Sequence, residues 1–436
     1  MRGSRTVLLL VVILLAGFFL RVQALQWNWF MHGDVIDDTS ATVAVYRDKT
    51  LNTLSGPDIA DPAVYPLPPA EGGEPLVQHA PLWPVLGGGV MVLLRAEPTM
   101  ADAFFALRVL SVIAGMLIIA LSFLIASRLI DDNAGLAAAA FVALSYVLID
   151  YSGNGAFYSL QAVLYLAWAL AGLSPPTWRR TALLGVLSGA AYLVNFQSII
   201  LLPAGILLCF LQVRPWRPGM MHAAMFAGVA ILTASPWLIR SALLFGDPLY
   251  SHSWNMDYVY VKAGLAGDTS IGIPEKLSIL SGILRVWLPN NLYYAARKLF
   301  VLAPFAFFLF SFGLIDVVFS KERFRKLLPL LLILTFHVLI SASWPIWKFR
   351  YFVPLLPFAF VLSLEQLWHL PLTRAWRATA VAFTIACLLA TGFLTYRAIP
   401  THTTYYDGAL TQDPFHGSEE ATYLLRFNVL PPDHAP

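Results

Sequence analysis

The chain has 436 residues, of which 58% are hydrophobic and 12% are charged, and its mean hydropathy is +0.69. An ordinary soluble domain carries about twice that charged fraction, so the composition excludes a water-soluble globule with a polar surface. The net charge of +3 is small, and no basic stripe points to a nucleic-acid partner. The apolar residues come in runs close to the 17 to 25 residues that a membrane-spanning helix needs, at about 1.5 Å per residue.

The first apolar run begins at Val7, after Arg2 and Arg5. A cationic start of this kind is also found in secretory signals. This run, however, ends in an edge with Trp27 and Trp29 and lacks a small-residue cleavage site. The sequence therefore predicts an uncleaved first membrane helix that aromatic side chains anchor at its far end.

A window of about 19 residues predicts an all-α polytopic membrane protein with about 11 transmembrane helices. In chain order the predicted spans are 7–26, 104–130, 135–152, 157–173, 181–197, 198–213, 221–242, 298–319, 327–343, 350–369 and 376–396. The weakest boundary is at residues 195–197, because the region 181–213 is interpreted either as a hairpin of two helices or as one broken helix.

The cations favour one orientation of these spans. If the N-terminus is cytoplasmic, the even-numbered connections are short and rich in arginine and lysine. These connections are 128–133, 174–180, 214–219, 320–326 and 371–377. Dense positive charge in short loops marks the cytoplasmic side. We therefore expect an integral protein of the plasma (inner) membrane with a cytoplasmic N-terminus and an external, or periplasmic, C-terminal tail.

Two predicted external segments, 27–103 and 243–297, are long, and long loops are often functional. Within the first, Ala80–Leu94 is apolar but too short to cross a membrane, which predicts an interfacial helix. We expect residues 1–396 to form the transmembrane module and residues 397–436 a short external tail that resembles the start of a further, truncated domain.

Three aspartates, Asp34, Asp37 and Asp38, follow the first helix. Carboxylates crowded at a membrane edge repel one another and are costly to desolvate. Such a group is suited to take a proton from an acceptor hydroxyl or to hold a divalent ion. The alternative is a hydrated loop in which Asp37 or Asp38 caps a helix over Thr39–Leu51.

Five side chains are candidates to bind an anionic lipid headgroup: His79, Arg108, Arg240, Lys348 and Arg350. His79 stands just before the predicted interfacial helix. Lys348 and Arg350 lie among aromatic residues at the start of the tenth span, where arginine offers a bidentate fork. Arg108 and Arg240, at the outer ends of the second and seventh spans, need partners in such a place. The alternatives are a surface histidine and cations that only anchor the chain at the interface.

The order of these features resembles the GT-C superfamily of polyprenyl-phosphate-sugar-dependent glycosyltransferases, and most of all its protein O-mannosyltransferases and lipid A aminoarabinose transferases. The motifs that carry the resemblance are His79-Ala80-Pro81-Leu82, Leu107-Arg108-Val109-Leu110-Ser111, Ser235-Pro236-Trp237-Leu238-Ile239-Arg240, Phe245-Gly246-Asp247-Pro248 and Phe349-Arg350-Tyr351. Each motif is short, so their order and the predicted topology carry the argument.

The resemblance implies a bundle in which the first external loop packs over a membrane cavity and a carboxylate at its start acts on the acceptor. Relatives carry Asp-Glu there, whereas this sequence offers Gly33-Asp34 or Asp37-Asp38, and both registers stay open. Relatives carry Lys-Pro-Pro-Leu where this chain has His79, which implies a phosphate contact that depends on pH. Relatives of the oligosaccharyltransferase branch place acids in the second external loop, where this chain reads Asp150-Tyr151-Ser152-Gly153-Asn154-Gly155. The resemblance therefore does not imply a strong metal site there, and the need for a divalent metal stays open.

The resemblance further implies a glycosyltransferase that moves a hexose or pentose, with inversion, from a polyprenyl-phosphate donor to an acceptor hydroxyl on a lipid, a glycan or a protein. A donor that is already activated needs no nucleotide, and no glycine-rich phosphate loop follows a strand. The alternatives are a polysaccharide polymerase or ligase, a transporter or flippase of lipid-linked sugars, and a non-catalytic scaffold. A transporter is less favoured because the sequence shows no internal repeat and its ionisable residues gather at the membrane edge.

Overall fold

A computed structural model of the chain describes residues 2–27, 33–53, 74–252, 281–302, 304–343, 349–370, 373–398, 403–406 and 409–412. The described part is helical apart from two small antiparallel hairpins. Strand β1 (Asn52–Thr53) pairs with β2 (Glu74–Pro75), and β3 (Thr403–Tyr406) pairs with β4 (Ala409–Gln412).

Fifteen α-helices of the described residues are labelled in chain order. They are α1 (Arg2–Trp27), α2 (Gly33–Asp48), α3 (Leu82–Leu94), α4 (Met100–Leu129), α5 (Asp132–Leu144), α6 (Tyr146–Gly153), α7 (Tyr158–Gly172), α8 (Trp178–Val194), α9 (Leu201–Gln212), α10 (Trp216–Phe245), α11 (Leu288–Leu302), α12 (Pro304–Phe319), α13 (Lys321–Ala342), α14 (Leu356–His369) and α15 (Arg374–Ala398). A 3₁₀ turn (Phe196–Ile200) precedes α9, a π-helical turn (Ile283–Trp287) precedes α11, and a 3₁₀ segment (Phe349–Leu355) precedes α14.

Five described helices are long and apolar enough to cross a membrane: Ser4–Leu25, Met100–Leu129, Trp216–Phe245, Lys321–Ala342 and Arg350–His369. A sixth span results if α5 and α6, which meet at a 58° bend, are taken as one. The prediction of a polytopic, all-helical membrane protein is confirmed, whereas the count of 11 spans is not. The reason is length, because helices such as α7 and α9 have 15 and 12 residues and at about 1.5 Å per residue fall short of the roughly 30 Å hydrocarbon core.

The region 181–213 forms two helices, α8 and α9, with a break at Asn195. The backbone of Asn195 is extended (φ −154°, ψ 124°), and its side-chain oxygen accepts a hydrogen bond from the amide of Gln197 at 3.0 Å. An asparagine in this conformation caps the turn that follows it. Both helices pack against α10.

Helix α2 corrects one alternative from the sequence. A helix that Asp37 or Asp38 caps would begin near Thr39, but α2 begins at Gly33, so both aspartates lie inside it. Residues 35–44 of α2 are buried without exception, which explains why a segment with so many small polar residues is helical: tertiary packing outweighs its low intrinsic propensity.

The chain folds into two compact units, and each is described separately. The first unit comprises Met1–Ala120, Ala139–Val163 and Val381–Pro436, and the second comprises Leu121–Ala138 and Leu164–Ala380. The division into a module 1–396 and a tail 397–436 stays a prediction; in that tail the structure describes the β3–β4 hairpin and the end of α15.

In the first unit, α3 packs against α2 through a glycine run. A Cβ atom on Gly87 would lie 2.7 Å from Leu107 and 2.9 Å from Thr42, and one on Gly88 would lie 2.7 Å from Val45. A larger residue at either position would force these neighbouring side chains to shift. The packing matters for the site because residues 76–80, which lead into α3, are thereby held beside the aspartates of α2.

Candidate active site

The centre of the candidate site is a pair of contacts between α2 and the segment before α3. The Gln78 amide donates to the Asp37 carboxylate, and His79 Nδ1 lies 2.9 Å from Asp38 Oδ1. Asp38 is 1% exposed and Asp37 4%, while the His79 side chain is 13% exposed. Two adjacent carboxylates of one helix turn are therefore each bonded to a different polar side chain.

The hydroxyl groups of α2 fix this helix turn. Thr42 donates to the Asp38 carbonyl oxygen at 2.7 Å, and the Ser40 hydroxyl lies 2.9 Å from that of Thr53 on β1. The main chain of β1 pairs with β2, from which the chain continues to Gln78. The β1–β2 hairpin thus connects α2, which carries the two aspartates, with the segment that carries Gln78 and His79.

The histidine tautomer follows from the chemistry of its partner. An ionised carboxylate only accepts hydrogen bonds, so His79 Nδ1 carries the hydrogen that Asp38 receives. A second feature of the ring is its edge-to-face packing on Phe157, with centroids 6.1 Å apart. The imidazole is therefore held in one orientation, with a carboxylate that would stabilise its positive charge.

Position 34 lies on α2 one turn before positions 37 and 38, since residues three and four apart share a helix face. The Asp34 side chain lies outside the described part of the structure. Positions 34, 37 and 38, the rival candidates for the aspartate motif, therefore share one face of one helix, which the sequence did not predict.

Arg108 is 2% exposed on α4 and donates to backbone carbonyls. Its guanidinium bonds Gly153 O at 2.7 Å and also reaches the carbonyl oxygens of Ala24 and Leu25 at the end of α1. These contacts tie the ends of α1 and α6 together. The phosphate contact expected of Arg108 from the sequence stays a prediction.

A second buried arginine, Arg21 of α1, also donates to backbone carbonyls. It was not singled out from the sequence. It is fully buried and donates to the Ser152 hydroxyl at 3.2 Å and to the carbonyls of Gly17, Val142 and Ala143. In the sequence, Arg21 stands at the end of the first apolar run, but an arginine at that position is equally typical of an interface anchor.

The remaining predicted cations belong to the second unit or lie outside the described residues. Arg350 is the second residue of the 3₁₀ segment before α14, and its guanidinium lies 5.7 Å from the Tyr351 ring. Arg240, near the end of α10, lies 4.7 Å from the Trp237 ring. Lys348 is outside the described part of the chain. The structure thus brings together Asp37, Asp38 and His79, and it describes Arg240 and Arg350 in a separate unit.

An apolar cavity of about 200 Å³ adjoins the segment that carries Arg350. Phe352 and Leu355 of the 3₁₀ segment line one side of it, and Leu334 and Val338 of α13 line another. The lining offers almost no polar atoms, so the cavity suits hydrocarbon rather than water.

The described residues form no metal centre. Within them, no three side chains of histidine, cysteine, aspartate or glutamate are close enough together to hold a metal ion. Asp150, from the loop where relatives carry acids, is 5% exposed within α6. The need for a divalent metal therefore stays open.

Comparison with known proteins agrees with this fold. Residues 92–239 match the family model described as dolichyl-phosphate-mannose-protein mannosyltransferase, and no curated protein matches the sequence. The oligosaccharyltransferase AglB of Archaeoglobus fulgidus, solved with an inhibitory peptide and a dolichol-phosphate, matches with 16% identity and a TM-score of 0.58 over 100% of this chain and 60% of its own. An oligosaccharyltransferase of Archaeoglobus fulgidus in complex with Zn and sulfate matches with 16% identity and a TM-score of 0.57, over 98% of this chain and 57% of its own.

A bacterial structure matches as well. ArnT of Cupriavidus metallidurans, bound to undecaprenyl phosphate, matches with 15% identity and a TM-score of 0.55 over 92% of this chain and 74% of its own. The chain is a polytopic membrane protein of the GT-C fold, so the resemblance stated from the sequence is confirmed at the level of the fold. It spans about three fifths of the length of the oligosaccharyltransferase chains.

Proposed function

We propose that this protein is a membrane glycosyltransferase that moves a sugar from a polyprenyl-phosphate donor to an acceptor hydroxyl on the external face of the membrane. The observation that carries the proposal is the buried turn of α2, where Asp37 and Asp38 accept from Gln78 and His79 directly after the first span. A soluble cofactor site is not needed for this chemistry, because the lipid phosphate is itself the leaving group.

The solved relatives support the donor class. Their structures contain a dolichol-phosphate in one case and undecaprenyl phosphate in another. In this chain, the apolar cavity beside the Arg350 segment suits the hydrocarbon part of such a lipid, and Arg350 suits its phosphate. An arginine fork matches phosphate geometry better than a point charge does.

In the proposed reaction, an aspartate of α2 takes the proton of the acceptor hydroxyl. The acceptor oxygen forms a bond to the anomeric carbon of the sugar, and the bond between that carbon and the phosphate oxygen breaks. Its electron pair leaves with the polyprenyl phosphate, whose charge the cations stabilise. Displacement in one step inverts the anomeric centre.

We assign the base to Asp34, with Asp37 and Asp38 as the substitutes. Because Asp37 and Asp38 are each bonded to a neighbouring side chain, they suit positioning better than proton abstraction. The phosphate is assigned to Arg350, Lys348 and His79. Arg240 and Arg108 are assigned as helpers, and for Arg108 the contacts with main-chain carbonyls support an indirect role.

The test is the release of free polyprenyl phosphate from radiolabelled polyprenyl-phosphate sugars by the purified protein. Asp34→Asn is expected to abolish transfer while the protein still elutes as a folded species in detergent. Near-normal turnover of Asp34→Asn with loss in Asp37→Asn or Asp38→Asn would move the base. Normal turnover in all three variants would refute the mechanism.

The alternatives predict other products. A transporter or flippase would move the labelled lipid between leaflets without releasing polyprenyl phosphate, and a polymerase or ligase would extend or join glycan chains. The same assay with and without a chelator decides whether a divalent metal is required. The predicted inner-membrane location and the external C-terminal tail are testable by labelling engineered cysteines from either side of the membrane.

A further inference from the structure

A buried histidine holds the main chain next to Arg350. His337 of α13 is 0% exposed, and its Nε2 lies 2.6 Å from the carbonyl oxygen of Tyr351. A carbonyl oxygen only accepts hydrogen bonds, so Nε2–H is the donor. Tyr351 follows Arg350 directly in the 3₁₀ segment.

The other side of the same ring is fixed as well. His337 Nδ1 lies 3.0 Å from the Tyr165 hydroxyl, which lies 3.2 Å from the Ser198 hydroxyl. Tyr165 belongs to α7 and Ser198 to the 3₁₀ turn before α9. The Tyr165 and His337 rings also pack edge to face with centroids 5.4 Å apart. Tyr165, which itself contacts Ser198, therefore holds the imidazole that bonds Tyr351.

A buried, hydrogen-bonded histidine is costly in a membrane helix, which argues that His337 does more than fill space in the core. Polar side chains within spans are expensive, and a residue such as leucine would satisfy packing alone. The 3₁₀ segment also gains from a side-chain partner, because 3₁₀ hydrogen bonds have poor geometry. The bond to Tyr351 fixes the backbone directly after Arg350, in the first turn of the segment.

We propose that His337 is a positioning residue for Arg350, which orients the guanidinium toward the phosphate of the lipid donor. This inference rests on the proposed function, in which Arg350 binds that phosphate. His337 does not touch the donor. It acts through the main chain of Tyr351, with Tyr165 and Ser198 holding its ring.

The test compares the affinity of the full-length protein in detergent for a polyprenyl phosphate with its affinity for the uncharged polyprenol of equal length. His337→Leu is expected to weaken binding of the phosphate about tenfold or more, since small misplacements of a binding group are costly, and to leave polyprenol binding unchanged. The matched control is His222→Leu, because His222 is also a buried histidine in a spanning helix, bonded to Thr181 at 2.7 Å and stacked on Trp178. The control is expected to keep the wild-type preference for phosphate.

Two further variants keep the proposal falsifiable if His337→Leu does not fold. Tyr165→Phe removes only the hydroxyl and is expected to lower the phosphate preference by a smaller factor, and His337→Gln, which retains a donor, is expected to restore part of it. Unchanged preference in His337→Leu or in Tyr165→Phe overturns the proposal, as does equal loss for both lipids.

A double-variant cycle separates this inference from the proposed function. In an Arg350→Ala background, His337→Leu is expected to have no further effect on the phosphate preference, because coupled residues are not additive. Additive losses would overturn the positioning role. If Arg350→Ala alone keeps the full phosphate preference, the proposed phosphate site is refuted. If Arg350→Ala loses the preference while His337→Leu keeps it, only the positioning role of His337 is refuted.

Discussion

His79 Nδ1 lies 2.9 Å from Asp38 Oδ1, across 41 residues of chain, in a contact where the carboxylate is 1% exposed. Where the protein O-mannosyltransferases resembled by this sequence carry a lysine, this chain carries a histidine whose charge depends on a proton. The buried carboxylate stabilises the protonated ring. Unlike a lysine, this histidine is held in its orientation by a buried carboxylate.

Asp38→Asn is expected to lower transfer about ten- to hundredfold, since hydrogen bonds to charged groups are worth about 1.5 to 3 kcal/mol. His79→Ala is expected to cause a similar loss, and the double variant is expected to be no worse than either single one. The measurement is the release of polyprenyl phosphate. Asp48→Asn is the matched control, because Asp48 lies on the same helix but pairs with Arg47 at the surface. Additive losses in the double variant would show that the two residues act separately.

Arg350→Ala is expected to lower the rate of transfer about 100- to 1,000-fold, which corresponds to about 3 to 4 kcal/mol for one lost donor to a developing charge. Arg217→Ala is the control, because Arg217 is an exposed arginine in a predicted cytoplasmic connection. Both variants are compared with the wild type at saturating donor and acceptor. Equal rates for Arg350→Ala and Arg217→Ala would remove Arg350 from the phosphate site.

The fold could be predicted from the sequence as far as apolar runs determine it. The spans that correspond to α1, α4, α10, α13 and α14 were all located, as was the short helix α3. For the region of α2, one alternative from the sequence was a helix over Thr39–Leu51 that Asp37 or Asp38 caps, whereas α2 begins at Gly33. Its helical state depends on burial against α3, and that packing is a long-range effect that no local pattern reveals.

The site was predictable as residue types but not as contacts. The sequence singled out Asp37, Asp38 and His79, yet it paired none of them and gave Gln78 no role. Arg108 was expected to bind a phosphate, and the structure shows that its guanidinium donates to the carbonyl oxygen of Gly153. A buried arginine is satisfied by carbonyl oxygens as well as by anions, and only the tertiary structure distinguishes these partners.

The glycine run of α3 allows a sharp test of the packing that holds the site. Gly87→Ala places a Cβ atom 2.7 Å from Leu107 and 2.9 Å from Thr42, and overpacking of this kind costs about 1 to 3 kcal/mol. We expect a lower Tm in detergent and reduced transfer, because α3 carries the segment with His79. Gly89→Ala is the control, since nothing lies within 4 Å of its Cβ position. A Tm that does not distinguish the two variants would contradict the close approach of α2 and α3.

His252, which follows α10, provides a pH-dependent prediction. The ring lies 5.5 Å from that of Tyr192 and 5.4 Å from that of Phe196, and burial lowers the pKa of His252 below its usual value. The unfolded chain therefore binds the proton more strongly than the folded protein, so His252 favours folding above about pH 6.5 and this contribution is lost as the pH falls. We expect the Tm of wild type to fall more steeply between about pH 7 and pH 5 than the Tm of His252→Phe. Parallel curves would mean that His252 is not buried in its neutral form.

The ion pair between α13 and α14 is expected to matter for stability and not for donor recognition. Arg323 Nε donates to Glu365 Oε1 at 3.2 Å, and a second nitrogen of its guanidinium donates to Gln366 at 2.8 Å, while the Glu365 side chain is 1% exposed. Removing Arg323 leaves the buried Glu365 carboxylate with His369 Nδ1, 3.2 Å from Oε1, and breaking a buried pair costs up to about 3 to 5 kcal/mol. Arg323→Ala should therefore lower the Tm strongly, whereas Arg325→Ala, which removes an exposed arginine of the same helix, should not. At a temperature where both variants are folded, the KM for the donor should equal that of wild type, and an increase confined to Arg323→Ala would instead place this pair in the donor site.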